Sequence, residues 1–238
     1  MNTEPLVIKA TGVVEAWKTA TKLLVDDGDR FNLAVHITDP AALVEADVGR
    51  FCHRRVSPDI TKSVYDVANT IFPAASVLHA GDPAEFFAHY LKAYERGQRR
   101  HRTVWGTYFL RLTSFGKTGE NQIQKILDAL INWKSRPRAA FVVHLSSTDL
   151  DNPRPLGAPC WQYAQFIRNG DNTLSIVAVY RSQDFFQKAL GNFVGLTRLL
   201  KFVCQHSAMT PGTLTCNATY ANLQGQRTKA RQLLQFDD

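Results

Sequence analysis

The stretch from residue 161 to residue 205 most constrains the fold of this chain. Trp161 to Phe166 and Leu174 to Tyr180 have the composition of β-strands, and the Asn-Gly-Asp-Asn segment 169–172 between them has that of a hairpin turn. Phe193 to Gln205 follows, with apolar side chains on nearly every face, which is typical of a buried central helix. A hairpin followed by a buried helix predicts a domain of the α+β class.

The rest of the chain predicts further elements around this unit. We expect helices over residues 7–25, 41–50, 59–72, 82–96 and 123–133, and strands over residues 31–37, 139–145 and 214–220. Residues 103–112 are expected to form a strand or an irregular extended segment, and the strand 139–145 to be buried on both faces. No linker composition and no internal repeat is visible, so we expect one domain over residues 1–238.

The chain is basic, with 28 Lys and Arg against 21 Asp and Glu and a net charge of +7. The densest basic run lies at residues 96–102 and fits a nucleic-acid face, a solvated helix end or a phosphate-collecting loop. No known nucleic-acid-binding motif supports the first interpretation, so nucleic acid is not the expected partner. No membrane-length apolar run and no signal peptide is visible, which predicts a cytoplasmic protein without a membrane partner.

The four cysteines are Cys52, Cys160, Cys204 and Cys216, and their spacing fits neither a zinc site nor a redox pair. We expect free thiols and no metal. Cys160 differs from the others because Pro159 precedes it and Arg181-Ser182 follows about twenty residues later. A thiolate needs a nearby cation, and an arginine beside a serine suits a phosphate. The segment therefore predicts a nucleophile, its activator and a phosphate anchor, which together suit chemistry on a nucleotide.

A larger set of motifs resembles the core signature of the thymidylate synthase family, which includes the pyrimidine nucleotide hydroxymethylases. The motifs are Pro159-Cys160, Gln165-Phe166, Arg181-Ser182-x-Asp184 and Gly191-Asn192, preceded by Val104-Trp105-Gly106, Asn121-Gln122-Ile123 and Arg138. The resemblance implies a thymidylate-synthase-like layered fold, in which helices flank a mixed β-sheet and one sheet face is used for dimerisation. It also implies a homodimer with shared active sites and a pyrimidine nucleotide as substrate.

The resemblance implies a role for each matched residue. Cys160 is expected to add to C6 of the pyrimidine, so that C5 attacks a one-carbon unit carried by 5,10-methylenetetrahydrofolate. Arg181 is expected to hold the nucleotide phosphate and favour the thiolate, and Ser182 to add a phosphate hydrogen bond. Asn192 is expected to read the base, because an amide that both donates and accepts suits uracil. Asp66 stands where the family has its catalytic glutamate.

Five further residues complete the implied nucleotide site. Asp184 is expected to bind the ring through its backbone, Gln165 to line the pocket, and Arg138 to reach the phosphate bound by the other subunit. Tyr220 matches the family's sugar-binding tyrosine, and Trp105 stands at the position of another family tyrosine. Taken singly, these residues also have ordinary interpretations, such as a surface ion pair between Arg181 and Asp184, a helix cap at Asn192 or an exposed helix aspartate at Asp66.

The sequence also departs from the family pattern. Trp161 follows the cysteine where the family has histidine, Pro137 replaces the first arginine of a pair, and Ala218 stands where a histidine precedes the tyrosine. The family's glycine-rich N-terminal phosphate loop is not visible, and the sequence ends soon after Tyr220 without the family's segment that closes over folate. From this we expect that hydroxymethyl transfer, or a reaction that needs only the cysteine adduct, suits the chain better than reductive methylation.

Two functions therefore remain open. The first is a divergent enzyme that transfers a methyl or hydroxymethyl group to C5 of a uracil-type nucleotide. The alternative is a nucleotide-binding or partner protein of the same fold in which folate-dependent catalysis is altered or lost.

Overall fold

A computed structural model of the protein describes residues 3–51, 63–74, 82–97, 105–133, 137–151 and 157–235. The strands in these ranges are β1 Leu6–Ala10, β2 Arg30–Ile37, β3 Phe141–His144, β4 Trp161–Arg168, β5 Thr173–Tyr180, β6 Gln183–Asp184 and β7 Thr210–Asn222. The α-helices with described bounds are α1 Val13–Asp27, α2 Glu45–Arg50, α3 Val64–Ile71, α4 Pro83–Gly97, α5 Tyr108–Thr113, α6 Gln122–Asn132, α7 Thr148–Asp151, α8 Ala189–Ser207 and α9 Arg227–Gln235. A 3-10 turn covers Pro40–Ala42.

The described strands form one mixed sheet in the order β1-β2-β7-β5-β4-β3, and β6 pairs with the last residues of β7. β1 and β2 are parallel, β7 is parallel to β5 and β6, and the other neighbouring pairs are antiparallel. These directions bring the starts of β2 and β4 to the same end of the sheet as the ends of β3, β5 and β7. We call this end, marked by the row Trp161, Tyr180 and Ala218, the site edge.

The two faces of the sheet differ in burial. One row across the strands is Phe141, Phe166, Ile176, Leu214 and Ile37, and every member is buried. Helices α1, α6 and α8 contact this side of the sheet. The adjacent row points the other way and is partly exposed; it consists of Val142, Gln165, Val177, Thr215 and His36. We call that side the open face.

Helix α8 is the central helix, and α3 lies close against it. A Cβ on Gly191 would lie 2.6 Å from the carbonyl oxygen of Val64 and from the Cβ of Val67, and one on Gly195 would lie 2.8 Å from the Cβ of Ile71. The two glycines lie four residues apart, so they form one strip of α8 along which the α3 backbone approaches. This contact places α3 beside the first turn of α8.

Most predicted elements are confirmed. The structure contains the strand 31–37, the helices 82–96 and 123–133, the hairpin of β4 and β5, the helix over 193–205 and the strand 214–220. The helix predicted over 59–72 is confirmed from residue 64 onward, and residues 59–62 lie outside the described ranges. Around 41–50 the chain forms the 3-10 turn and α2. Helix α9 was not predicted.

Three expectations are wrong. Residues 6–10 form strand β1 rather than the start of a helix, and α1 begins only at Val13, after Glu15 accepts a hydrogen bond from the Thr11 amide. Residues 108–113 form helix α5, because the Thr107 hydroxyl caps it by accepting the Leu110 amide at 3.1 Å. Strand β3 is buried on one face only, and Val142 on the open face is 38% exposed.

The architecture of the described residues is a mixed sheet flanked by helices, which agrees with the predicted α+β class. The thymidylate-synthase-like layering, the single domain over 1–238 and dimerisation through a sheet face stay predictions. Within the described ranges, no helix combines the length and the hydrophobicity needed to cross a membrane.

Candidate functional site

Cys160 lies at the site edge, immediately before β4, and its side chain is half-buried. The backbone ties it to the residue after β5, because the Arg181 amide donates to the Cys160 carbonyl at 2.9 Å. The Arg181 guanidinium binds the segment before the cysteine: its Nε donates to the Pro159 carbonyl at 3.1 Å and one Nη to the Ala158 carbonyl at 2.9 Å. A guanidinium has five N–H donors, so three remain for other acceptors. Arg181 therefore both holds the cysteine segment in place and keeps donors for an anion.

The residues that follow Arg181 are held against the end of β7. The Ser182 hydroxyl accepts a hydrogen bond from the Asn222 side chain at 3.1 Å, and Asn222 is 1% exposed. Asp184 is also buried, and its Oδ1 accepts the amides of Phe186 and Gln187, each at 3.0 Å. Burial raises the pKa of Asp184, and these two amides oppose that effect. Asp184 therefore shapes the turn that leads from the site edge into α8.

Asn192 lies in the first turn of α8 and is 4% exposed. Its amide nitrogen in the backbone donates to the Lys188 carbonyl at 2.8 Å, so its position is set by the helix. Within the described ranges, its side-chain amide has no hydrogen-bond partner. A buried amide without a partner loses its hydration for no return, which is unusual in a folded protein. The Asn192 side chain is thus available to donate to and accept from a ligand.

A buried tyrosine that the sequence patterns did not indicate lies beside the cysteine. The Tyr108 hydroxyl accepts the Trp161 amide at 3.3 Å, and its ring lies 4.9 Å from the Trp105 ring and 5.4 Å from the Trp161 ring. Burial raises the pKa of Tyr108, and the neighbouring Cys160 thiol raises it further. The signal for Tyr108 is hidden because the pattern of residues 103–112 predicts an extended segment, which gives no reason for its side chain to face Cys160.

A buried ion pair next to Trp105 also has no signal in the sequence. Arg111 and Asp151 form two parallel contacts of 2.7 and 2.8 Å, and their side chains are only 6% and 11% exposed. Burial raises the pKa of Asp151, but the Arg111 hydrogen bonds, the Ser147 amide and the charges of Arg111 and Arg181 outweigh it and lower that pKa below its usual value. The pair fixes α7 against α5. A lone arginine in one segment and an aspartate in another give no local indication of such a contact.

Trp105 and Tyr220 lie near the site edge but make contacts within the chain. The Trp105 carbonyl accepts the Arg111 Nε at 3.3 Å, and the Arg111 guanidinium lies over its ring at 5.7 Å. The Tyr220 hydroxyl donates to an Asp29 carboxylate oxygen at 2.7 Å, and this contact raises the pKa of Tyr220. Both residues face this end of the sheet, and their roles in nucleotide binding stay predictions.

Three predicted residues are not brought to Cys160 by the described contacts. Asp66 is exposed and caps α3, where its carboxylate accepts the Ser63 amide at 3.3 Å. Gln165 points to the open face, where its amide donates to the Ala139 carbonyl at 2.6 Å. The Arg138 carbonyl accepts the Arg168 amide at 2.9 Å, which places Arg138 at the far end of β4.

No protein-family model matches the chain. The chain is similar to two proteins that carry the name "Putative thymidylate synthase". The one from Methanococcoides burtonii is 30% identical over 118 residues, which are 49% of this chain and 52% of that protein. The one from Methanopyrus kandleri is 31% identical over 117 residues, which are 49% of this chain and 54% of that protein. The chain thus matches about half the length of these curated relatives, and the similarity supports a thymidylate-synthase-like family.

Proposed function

We propose that this chain is a thymidylate-synthase-like enzyme in which Cys160 adds to C6 of a uracil-type nucleotide and C5 is then modified. The observation that carries the proposal is the composition of one end of the sheet. It holds a half-buried thiol tied to an arginine with free donors, and it leads into the helix that carries the unpartnered amide of Asn192. A nucleophile, a cation and a base-reading group in one place suit a nucleotide better than any one of them alone.

The chemistry follows from the electron demand of the ring. The Cys160 thiolate forms a bond to C6, and the electron pair of the C5–C6 double bond moves toward C5 and the C4 carbonyl. C5 then takes up a proton or a one-carbon electrophile. Loss of the original C5 hydrogen as a proton and expulsion of the thiolate restore the double bond. Without an electrophile, the cycle exchanges the C5 hydrogen with solvent and consumes nothing.

The one-carbon donor implied by the resemblance is 5,10-methylenetetrahydrofolate. A flat pterin needs an open apolar slot beside the cysteine. The rings nearest Cys160 in the described part of the chain, those of Tyr108, Trp161 and Tyr180, are buried and packed on one another. These residues do not form such a slot, so no step is routed through the folate. Methyl and hydroxymethyl transfer remain the finer part of the proposal.

The nucleotide phosphate is assigned to Arg181 and Ser182, and Arg138 is assigned to the phosphate of a second subunit. Seven residue steps of β4 separate Trp161 from Arg168, to which Arg138 is bonded, and at about 3.3 Å per residue this is roughly 23 Å. An arginine side chain is far shorter, so Arg138 cannot serve the Cys160 of its own chain. Shared active sites in a homodimer follow if the role of Arg138 is correct.

The open face is the surface we assign to this homodimer. It carries the exposed side chains of Val7, Val142 and Tyr163, which are 58%, 38% and 39% exposed. Tyr163→Glu should shift the protein from dimer to monomer in light scattering, because it introduces a buried unpaired charge. Ile131→Glu, which alters an equally exposed apolar side chain on α6, is the matched control. Equal masses for all three proteins would contradict the assignment.

The reaction is tested by release of tritium from C5-labelled UMP, dUMP, CMP and dCMP, with and without folate. We expect release from the uracil nucleotides in the wild type and none in Cys160→Ala. Arg181→Met should retain the thiol but bind nucleotide more weakly, since it removes the phosphate donors. The absence of release and of any folate-dependent product from all four nucleotides would overturn the enzymatic proposal.

The position of Asp66 favours a second candidate, a nucleotide-binding or partner protein of the same fold. The carboxylate expected to assist catalysis is exposed and caps its own helix. A binding protein should be stabilised against heat by a nucleotide and show no turnover, and Cys160→Ala should bind equally well. If no pyrimidine nucleotide raises the melting temperature, both candidates fail.

A further inference from the structure

The Tyr108 hydroxyl has a hydrogen-bond arrangement that leaves its proton unused. Its oxygen accepts the Trp161 amide at 3.3 Å, and hydrogen bonding from the Cys160 amide also acts on it. A phenol oxygen accepts about two hydrogen bonds and donates one. Both accepting positions are therefore directed at the backbone of residues 160 and 161. No acceptor for its proton is found among the residues that the structure describes.

The cysteine is the polar side chain that the geometry brings to this proton. Trp161 N is bonded to the Cys160 carbonyl carbon, so standard bond lengths place the Tyr108 oxygen within about 6 Å of the Cys160 Cα. The hydroxyl is held there by packing, because Trp105 and Trp161 lie against its ring. Tyr108 is 9% exposed, so little water competes for its proton.

We propose that Tyr108 is a positioning residue for Cys160: its hydroxyl donates a hydrogen bond to the cysteine sulfur, orients the thiol and stabilises the thiolate. The assignment deepens the proposed function, since it concerns the same nucleophile. It explains why a tyrosine is buried with its oxygen at the two amides that begin β4. It also adds a second donor to the surroundings of the thiol, beside the Arg181 guanidinium, which spends two of its donors on backbone carbonyls.

Alkylation by iodoacetamide tests the proposal without any nucleotide. The rate at Cys160 is followed by mass spectrometry of its peptide over pH 5–10 in the wild type and in Tyr108→Phe, which keeps the ring. A hydrogen bond to a charged group is worth roughly tenfold in an equilibrium, so alkylation at neutral pH should slow about tenfold. The pH–rate profile should move to higher pH and reach the same plateau, because the fully formed thiolate reacts equally well.

Tyr90→Phe is the matched control. Tyr90 is also a buried tyrosine, and its hydroxyl contacts the Thr107 hydroxyl at 2.6 Å rather than the cysteine. It should leave the profile of Cys160 unchanged. A merely structural role of Tyr108 would instead lower the rate at every pH, including the plateau. A Tyr108→Phe profile that matches the wild type, or one that drops uniformly, overturns the assignment.

The two proposals fail separately. If the alkylation profile moves but no nucleotide binds or reacts, Tyr108 positions a thiol whose substrate is not a pyrimidine nucleotide. If nucleotides react normally and the profile does not move, the proposed function stands and the assignment of Tyr108 falls.

Discussion

Replacing Gly195 by alanine tests the contact between α3 and α8 that sets the start of the central helix. The added Cβ would lie 2.8 Å from the Cβ of Ile71, 2.9 Å from the carbonyl oxygen of Ala68 and 3.2 Å from its Cα. Non-bonded carbons prefer about 3.5–4.0 Å, so α3 must move away by roughly 0.7 Å. Two of the three atoms belong to the backbone of α3, which cannot turn aside as a flexible side chain would.

The expected magnitude is a balance of two terms. Overpacking of this kind costs about 1–3 kcal/mol, whereas alanine gains about 1 kcal/mol over glycine in a helix. The free energy of unfolding should therefore fall by about 1–2 kcal/mol, which lowers the melting temperature by about 3–6 °C in a chain of this size. Urea denaturation gives the free energy, and calorimetry gives the melting temperature.

Gly49→Ala is the control, because it makes the same change in a helix with open space. No atom lies within 4 Å of a Cβ at this position in α2. Helix propensity then acts alone, and the variant should gain up to about 1 kcal/mol. The two glycines thus predict opposite signs for one chemical change. A Gly195→Ala protein as stable as Gly49→Ala would refute the close packing of α3 on α8.

The remaining predictions concern buried polar groups. Asp151→Ala should lower the free energy of unfolding by about 3 kcal/mol, because it leaves Arg111 buried without its counterion. Since the pKa of Asp151 is lowered on folding, its stabilisation is complete above the unfolded value of about 3.9 and is lost as the pH falls through the folded value. The difference in melting temperature between Asp151→Ala and wild type should accordingly be constant from pH 5 to 7 and shrink below pH 4; a difference that grows on acidification contradicts the ion pair. Tyr180→Phe should raise stability by about 1 kcal/mol, since the Tyr180 hydroxyl is buried and has no partner among the described residues. A lower melting temperature for Tyr180→Phe would indicate that a bound water or a residue outside the described ranges satisfies that hydroxyl.

The local part of the fold follows from the sequence alone. The β4–β5 hairpin depends on neighbouring residues and a turn of four, and α8 is marked by apolar side chains on every face. The pairing of Cys160 with Arg181 is local in the same sense, because the hairpin brings the ends of its two strands together. For this reason the sequence pattern is sufficient to predict that the thiol and its arginine lie side by side.

Tertiary structure decided the rest, because it depends on contacts between distant segments. Tyr108 comes more than fifty positions before Trp161, and Arg111 forty before Asp151, so no local pattern joins them. The open face of the sheet has the same cause: strand β3 is fully apolar in sequence, yet whether both its faces are buried depends on which layers cover the sheet. The sequence by itself determined the elements of the hairpin and the nucleophile with its cation. Packing alone determined which hydroxyl faces that nucleophile and which face of the sheet stays uncovered, since burial is a property of neighbours that the chain brings together only on folding.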